Sequence, residues 1–201
     1  MSISLQKGQK VNLEKKGSAS LGEILVNLNW NSTPKKQGLL SSLFGGGEGI
    51  DLDLGCLYEL KDGRKGAVQA LGNAFGSLNN PPFISLDGDD RTGAAAAGEN
   101  LRINGDRLSD IKRVLVYTFI YEGVANWKQA DATVTIKYPG AEDIVVKMDT
   151  FNSSNIMCGL VLFENQSDQT FSVEKIVQFY QGHRELDKAF NWGMQWKAGR
   201  K

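Results

Sequence analysis

Short segments in which apolar and polar residues alternate dominate the chain. Residues 50–60 (IDLDLGCLYEL) are the clearest case, because their aliphatic residues fall on one face of a strand and Asp51 and Asp53 on the other. Residues 113–121 (RVLVYTFIY) are almost continuously apolar, which predicts a central strand buried on both faces. Long stretches with helical periodicity are nearly absent, so the pattern favours strands over most of the chain.

Turn signals separate these strands. Pro139-Gly140 lies between two alternating segments, and the polar tetrapeptide at 165–168 (NQSD) lies between two longer ones. Each arrangement predicts a β-hairpin. Many short strands with such turns indicate an all-β fold, and we predict a β-sandwich of two packed, mostly antiparallel sheets with one or two short helices.

We predict a single domain over residues 1–201 with two departures from the strand pattern. Residues 32–49 form a polar, then apolar, then glycine-rich insertion loop, whose leucines would make either a short lid over the core or an exposed docking patch. A short helix is predicted near residues 183–192, close to the C-terminus. Trp192 and Trp196, four residues apart, would then form a stripe facing the core.

Composition narrows the function classes. The 23 Lys and Arg balance the 23 Asp and Glu, so the chain has none of the basic excess typical of nucleic-acid coat proteins, and we expect no nucleic-acid partner. No apolar run approaches the roughly 18 residues that a membrane span needs, and the first residues alternate instead of forming a signal sequence. The two cysteines, Cys56 and Cys158, form no CxxC site and fit a reducing compartment, which predicts a cytoplasmic protein.

Acidic residues concentrate in a glycine-bounded loop at 87–100 (DGDDRTGAAAAGEN). Carboxylates this close repel one another unless a cation lies among them, and hard cations such as Ca²⁺ take six to eight oxygen ligands. Asp89 and Asp90 would supply carboxylates, Thr92 a hydroxyl and Gly93 a carbonyl. The spacing is not that of an EF-hand, and the alternative is a solvated turn.

Asp51 and Asp53 would extend this site. Both project from one strand face, about 7 Å apart by strand geometry. They would either face solvent or, if the strand lies beside the acidic loop, complete a cage of carboxylates.

Three motifs together resemble one family. Residues 5–13 (LQKGQKVNL), the Asp51-Leu52-Asp53 strand and above all the hexapeptide at 88–93 (GDDRTG) are similar to the tellurium-resistance TerD family, which includes general stress proteins. The resemblance implies a β-sandwich that binds one or two Ca²⁺ ions. The ligands it implies in this chain are Asp51, Asp53, Asp89, Asp90, Thr92, Gly93 and Glu99.

The chain departs from the family pattern. Asp90 stands where the family has asparagine, and Asn31 follows Trp30 where the family has aspartate. Four alanines at 94–97 replace an acidic continuation, of which Glu99 alone keeps a carboxylate. We therefore expect a diverged member, similar to the A-type tellurite-resistance proteins, in which metal binding is weakened or lost.

The resemblance implies a non-catalytic bacterial protein that binds or scaffolds other tellurite-resistance and stress proteins, in a complex at the inner membrane. One alternative is a metal-free protein-interaction module of the same fold. Another is thiol-dependent handling of an oxyanion by Cys56 and Cys158, against which their apolar neighbours predict buried, inert thiols. His183, the single histidine, is interpreted as a residue at the start of a helix.

Overall fold

The computed structural model describes most of the chain. The described ranges are 2–15, 20–31, 50–87, 98–122, 127–149 and 154–197. The insertion loop predicted at 32–49 lies outside these ranges, as do Asp89, Asp90, Thr92 and Gly93 of the acidic loop.

Strands make up most of the described residues. They are β1 (Ser2–Ser4), β2 (Lys10–Asn12), β3 (Glu23–Asn29), β4 (Asp51–Leu60), β5 (Lys65–Gln69), β6 (Gly76–Ser77), β7 (Ile84–Leu86), β8 (Glu99–Asn104), β9 (Ile111–Glu122), β10 (Thr133–Lys137), β11 (Asp143–Lys147), β12 (Met157–Gln166) and β13 (Thr170–Tyr180). The helices are α1 (Trp127–Ala130) and α2 (His183–Ala189), with short 3₁₀ segments at Leu71–Asn73 and Gly105–Asp110.

The strands form two sheets. The first has the order β1-β11-β10-β3-β8-β7-β6 and the second β2-β13-β12-β9-β4-β5. Neighbouring strands are antiparallel except β1 and β11, which run parallel. This architecture confirms the predicted fold class, and β10–β11 and β12–β13 are the two predicted hairpins.

An apolar core lies between the sheets. In β3, Ile24, Val26 and Leu28 are fully buried while the residues between them are not. From the second sheet, Leu52 and Leu54 of β4 join the same core. Burying one such side chain stabilises a fold by about 1.5–3 kcal/mol, so the alternation seen in the sequence is what holds the two sheets together.

A second apolar layer covers the outer face of the second sheet. It contains Leu57 of β4 and Tyr117 of β9, and α2 contributes Leu186. With core on one side and this layer on the other, residues 114–120 of β9 are buried on both faces, as predicted for 113–121, while Tyr121 at the end of that range is 40% exposed.

Arg113 of β9 fastens the C-terminal segment over this layer. Its Nε donates to Glu59 Oε2 at 2.6 Å, and its guanidinium lies 3.8 Å from the centroid of a Trp192 ring. The same guanidinium donates to the carbonyls of Phe190 and Asn191. Burial would raise the pKa of Glu59, but bonds from the cations of β9 outweigh it and hold that pKa below its ordinary value.

Trp192 and Trp196 both pack in the outer apolar layer, as predicted, but they do not form a helical stripe, because α2 ends at Ala189. Trp192 is fully buried and donates to the carbonyl of Tyr58. Trp196 is half-buried and donates to the carboxylate of Asp187. The helix begins where the sequence predicts it, and hydrogen bonds to Tyr58 and Asp187 hold the chain beyond it.

Candidate metal centre

Asp51 and Asp53 open β4 on the face that points away from the core. Leu52 and Leu54 alternate with them and face the core, as the pattern predicts. Asp51 is half-buried, whereas Asp53 is only 1% exposed. The alternative in which both carboxylates face solvent is therefore wrong for Asp53.

Aromatic side chains of the outer layer lie beside Asp53. Phe119 is its partner across the β4–β9 ladder, and Tyr117 is the partner of Gly55, one pair further along this face. Burial raises the pKa of Tyr117, and the nearby Cys56 and Asp53 raise it further. A buried carboxylate next to aromatic rings carries a large desolvation cost, which a cation or several donors must offset.

Glu99 comes to the same end of β4 from the opposite sheet. It is the first residue of β8 and 6% exposed, although the sequence predicts it within the loop. Its Oε2 accepts a 2.6 Å bond from the backbone N–H of Leu54. The last residue of β4 that pairs with β5 is Gly55. Leu54, the residue before it, has no β5 partner, and the Glu99 carboxylate accepts its N–H instead. Glu99 therefore lies beside the peptide that joins Asp53 to Leu54.

The two ends of the acidic loop are anchored to the first sheet. Asp87, just after β7, accepts bonds from Arg102 Nε at 3.0 Å and Nη2 at 2.9 Å. Gly98 has φ +67°, and a Cβ on it would lie 2.0 Å from the carbonyl oxygen of Leu28. Asp87 is thus committed to an ion pair, and the loop returns to the sheet at a position that only glycine fits.

Three of the seven predicted metal ligands lie within the described ranges. Asp51, Asp53 and Glu99 lie at one end of β4, but no three His, Cys, Asp or Glu side chains within the described ranges are grouped closely enough to hold a metal ion. The other predicted ligands belong to 88–97, outside those ranges. The side chains of Asp51, Asp53 and Glu99 present hard carboxylate oxygens, which suit Ca²⁺ or Mg²⁺ and not a thiophilic metal.

The thiols are far from reactive. Cys56 and Cys158 are both fully buried in the core between the sheets. Burial raises the pKa of Cys56 to about 12 and also raises the pKa of Cys158. Because the thiolate is the reactive form, both behave as small apolar residues, as the sequence predicts.

A cleft beside α2 contains a residue pair that the sequence does not reveal. His183 opens α2, as predicted, and its Nε2 lies 2.9 Å from Gln69 Oε1 of β5. These residues are 114 positions apart in the chain, and a lone histidine gives no signal of its partner.

None of the helices in the described part of the chain is long and apolar enough to cross a membrane.

Comparison with known sequences matches a family model described as the TerD domain to residues 1–138. The tellurium resistance protein TerA of an Alcaligenes species is 42% identical over 99% of this chain and 58% of its own length. The stress response protein SCP2 of Bacillus subtilis is 34% identical over 62% of this chain and 63% of its own length. The chain thus spans less than two thirds of the curated relatives it matches.

A solved structure supports the same fold. The crystal structure of a homologue of the telluride resistance protein TerD from Streptomyces coelicolor superposes with a TM-score of 0.54 and 18% sequence identity. The match covers 83% of this chain and 95% of that one.

Proposed function

The chain belongs to the TerD domain family, and we propose that it is a non-catalytic Ca²⁺-binding protein of tellurium resistance and the stress response. In this role it binds or scaffolds other resistance and stress proteins in a cytoplasmic complex at the inner membrane. The names of the matched relatives support the physiological setting, and the residues at the start of β4 support the metal.

The observation that carries the proposal is the position of Glu99. Its carboxylate bonds to the backbone of Leu54, one residue from Asp53, and Glu99 directly follows the acidic loop. The loop therefore rejoins the sandwich at β8, where Glu99 reaches the backbone of β4. Carboxylates from β4, β8 and the loop would meet there, which is what a cation with six to eight oxygen ligands requires.

The donor set fits Ca²⁺ in its chemistry. Asp51, Asp53 and Glu99 would hold the ion from the described side, and Asp89, Asp90, Thr92 and the Gly93 carbonyl would hold it from the loop. A divalent cation would also offset the desolvation of Asp53, which is 1% exposed beside aromatic rings.

A second candidate function is a metal-free interaction module of the same fold. The alanines at 94–97, which stand where the family has an acidic continuation, favour it. In that case the carboxylates at β4 are structural. Thiol-based chemistry on an oxyanion is disfavoured, because both cysteines are buried and have raised pKa values.

Calorimetric titration with Ca²⁺ tests the proposal. Protein stripped with chelator should bind Ca²⁺ more tightly than Mg²⁺, and Asp53→Asn and Glu99→Gln should each weaken binding at least tenfold, since each removes a charged ligand. Asp62→Asn is the matched control. Asp62 lies in the turn that follows β4, roughly 30 Å from Asp53 by strand rise, and pairs with Arg64. Absence of Ca²⁺ binding at millimolar concentration would favour the metal-free module.

A further inference from the structure

A cleft of about 490 Å³ opens between β5 and α2 on the outer face of the second sheet. Its lining includes Gln69, Leu71, His183, Arg184, Trp196 and Lys197. The volume is within the range of pockets that hold small organic ligands. None of the residues assigned to the metal centre lines it.

The polar floor of the cleft is held in one arrangement. Gln69 Oε1 accepts from the Tyr117 hydroxyl at 2.6 Å and meets His183 Nε2 at 2.9 Å. An amide oxygen can only accept, so Nε2 carries the ring proton and Nδ1 keeps its lone pair. Burial lowers the pKa of His183 to about 4, so the imidazole is neutral at physiological pH.

An aromatic wall is built beside this floor. The rings of Trp196 and His183 have centroids 5.0 Å apart. The Trp196 indole N–H donates to Asp187 at 2.8 Å, and that carboxylate, 6% exposed, also accepts from the backbone N–H groups of Gly193 and Met194. Three donors on one buried carboxylate fix the Trp196 ring in place without any ligand, which lowers the entropic cost of binding.

The charge around the cleft is positive. Arg184 and Lys197 lie at its exposed rim, and within the described part of the chain neither forms an ion pair. Glu185, the acid at the rim, accepts a bond from the backbone N–H of Gln181. With His183 neutral, the lining carries two cations against one anion.

We propose that this cleft binds a small planar organic anion, an aromatic or heteroaromatic ring that carries a carboxylate. The ring would pack against Trp196 and His183, with Leu71 completing the apolar surface. The carboxylate would pair with Arg184 and Lys197 at the rim. The site is separate from the metal centre and stands whether or not the chain binds Ca²⁺.

The test is a titration of the full chain followed by ¹H–¹⁵N NMR, with indole-3-carboxylate as the probe. The expected result is a saturable shift of the Trp196 indole N–H signal and of the Gln69 and His183 amides. Tryptamine, which has the same indole ring but an ammonium group on its side chain, should bind at least tenfold more weakly. Shifts that do not saturate, that spread over the whole surface, or that tryptamine reproduces at equal concentration would overturn the proposal.

Surface variants distinguish binding in the cleft from non-specific binding of the probe. Arg184→Gln with Lys197→Gln should weaken indole-3-carboxylate about tenfold, as expected for two partly exposed charge contacts. Lys61→Gln with Arg64→Gln removes two exposed cations at a distant turn and should leave binding unchanged. Equal affinity of the two double variants would show that the rim cations play no part. All four positions are exposed, so neither variant endangers the fold.

Discussion

The ring of Tyr117 lies directly against Gly55. A Cβ on Gly55 would be 2.8 Å from Tyr117 Cε2 and 3.0 Å from its hydroxyl oxygen, closer than real Cβ contacts come. Because Gly55 has no side chain, Tyr117 can reach from β9 across β4 to Gln69 on β5, where its hydroxyl donates at 2.6 Å. Gly55, two residues from Asp53 in β4, thus allows the contact that orders the floor of the cleft.

Gly55→Ala should therefore destabilise the protein. The added methyl group overpacks the outer layer and displaces the Tyr117 ring, at a cost of about 1–3 kcal/mol. Urea unfolding of Gly55→Ala, Tyr117→Ala and the double variant measures the coupling between the two sites. In the Tyr117→Ala background the methyl group has room, so the added cost of Gly55→Ala should nearly vanish. An equal cost in both backgrounds would mean that the contact does not determine the effect.

The thiols should be dispensable. Cys56→Ala with Cys158→Ala leaves two small cavities in the core between the sheets, so we expect a loss of about 1–2 kcal/mol in the free energy of unfolding. Cation binding and any resistance to tellurite in cells should persist. If the double variant folds normally but loses tellurite protection, redox chemistry of the thiols becomes the better account of function.

Stability should fall with acidification through His183. Its folded pKa is about 4 and its unfolded pKa about 6.5, so between these values the unfolded chain binds a proton that the folded chain does not. His183 therefore makes its full contribution to the free energy of unfolding above about pH 6.5. As the pH falls toward 4, up to about 3 kcal/mol of that free energy is lost. His183→Gln, which keeps a side-chain amide near Gln69, removes this proton uptake.

Urea unfolding of the unsubstituted protein and of His183→Gln between pH 4 and 7 measures how their unfolding free energies change with pH. Glu185, Asp187 and Lys197 are present in both proteins, so the comparison isolates the effect of His183. If the two proteins differ in unfolding free energy by the same amount across this range, a group other than His183 causes the loss of stability.

The sequence predicts those parts of the fold that depend on local pattern. Alternation along β4, the apolar run of β9 and the turns at Pro139-Gly140 and 165–168 all have the structure expected of them. The strands β5 to β8 were not predicted, because they are short or, in β8, preceded by an acidic loop that extends the loop pattern to Glu99.

The burial of Asp53 could not be predicted from β4 itself. Alternation gives the face of a strand but not what covers that face, and here the covering layer includes Leu186 and Trp192 from the far end of the chain. The bond between Glu99 and Leu54 likewise joins residues 45 positions apart. Local pattern finds the carboxylates, whereas the burial of Asp53 and the bond of Glu99 to Leu54 depend on contacts between distant segments.

Ca²⁺ should raise the melting temperature of chelator-stripped protein. A cation bound among Asp51, Asp53 and Glu99 stabilises the folded state alone, by roughly 2.7 kcal/mol at a hundredfold excess over its dissociation constant. For a domain of this size that corresponds to a shift of roughly 5–10 °C, at about 2–4 °C per kcal/mol. Mg²⁺ should give a smaller shift, because an irregular set of carboxylates and carbonyls suits the longer, flexible coordination of Ca²⁺.

Substitutions at the site should raise the metal-free melting temperature and reduce the shift that Ca²⁺ produces. Asp53→Asn and Asp89→Asn each remove a negative charge, so the metal-free melting temperature should rise while the Ca²⁺-induced shift becomes smaller. Asp62→Asn, in the exposed turn after β4, should leave the shift unchanged, since its carboxylate pairs with Arg64 at the other end of the strand. The alanines at 94–97 favour weak binding, so melting is followed at micromolar and at millimolar Ca²⁺. A melting temperature that Ca²⁺ leaves unchanged at both levels would mean that the carboxylates of β4 and β8 are structural and that the fold serves as an interaction module without metal.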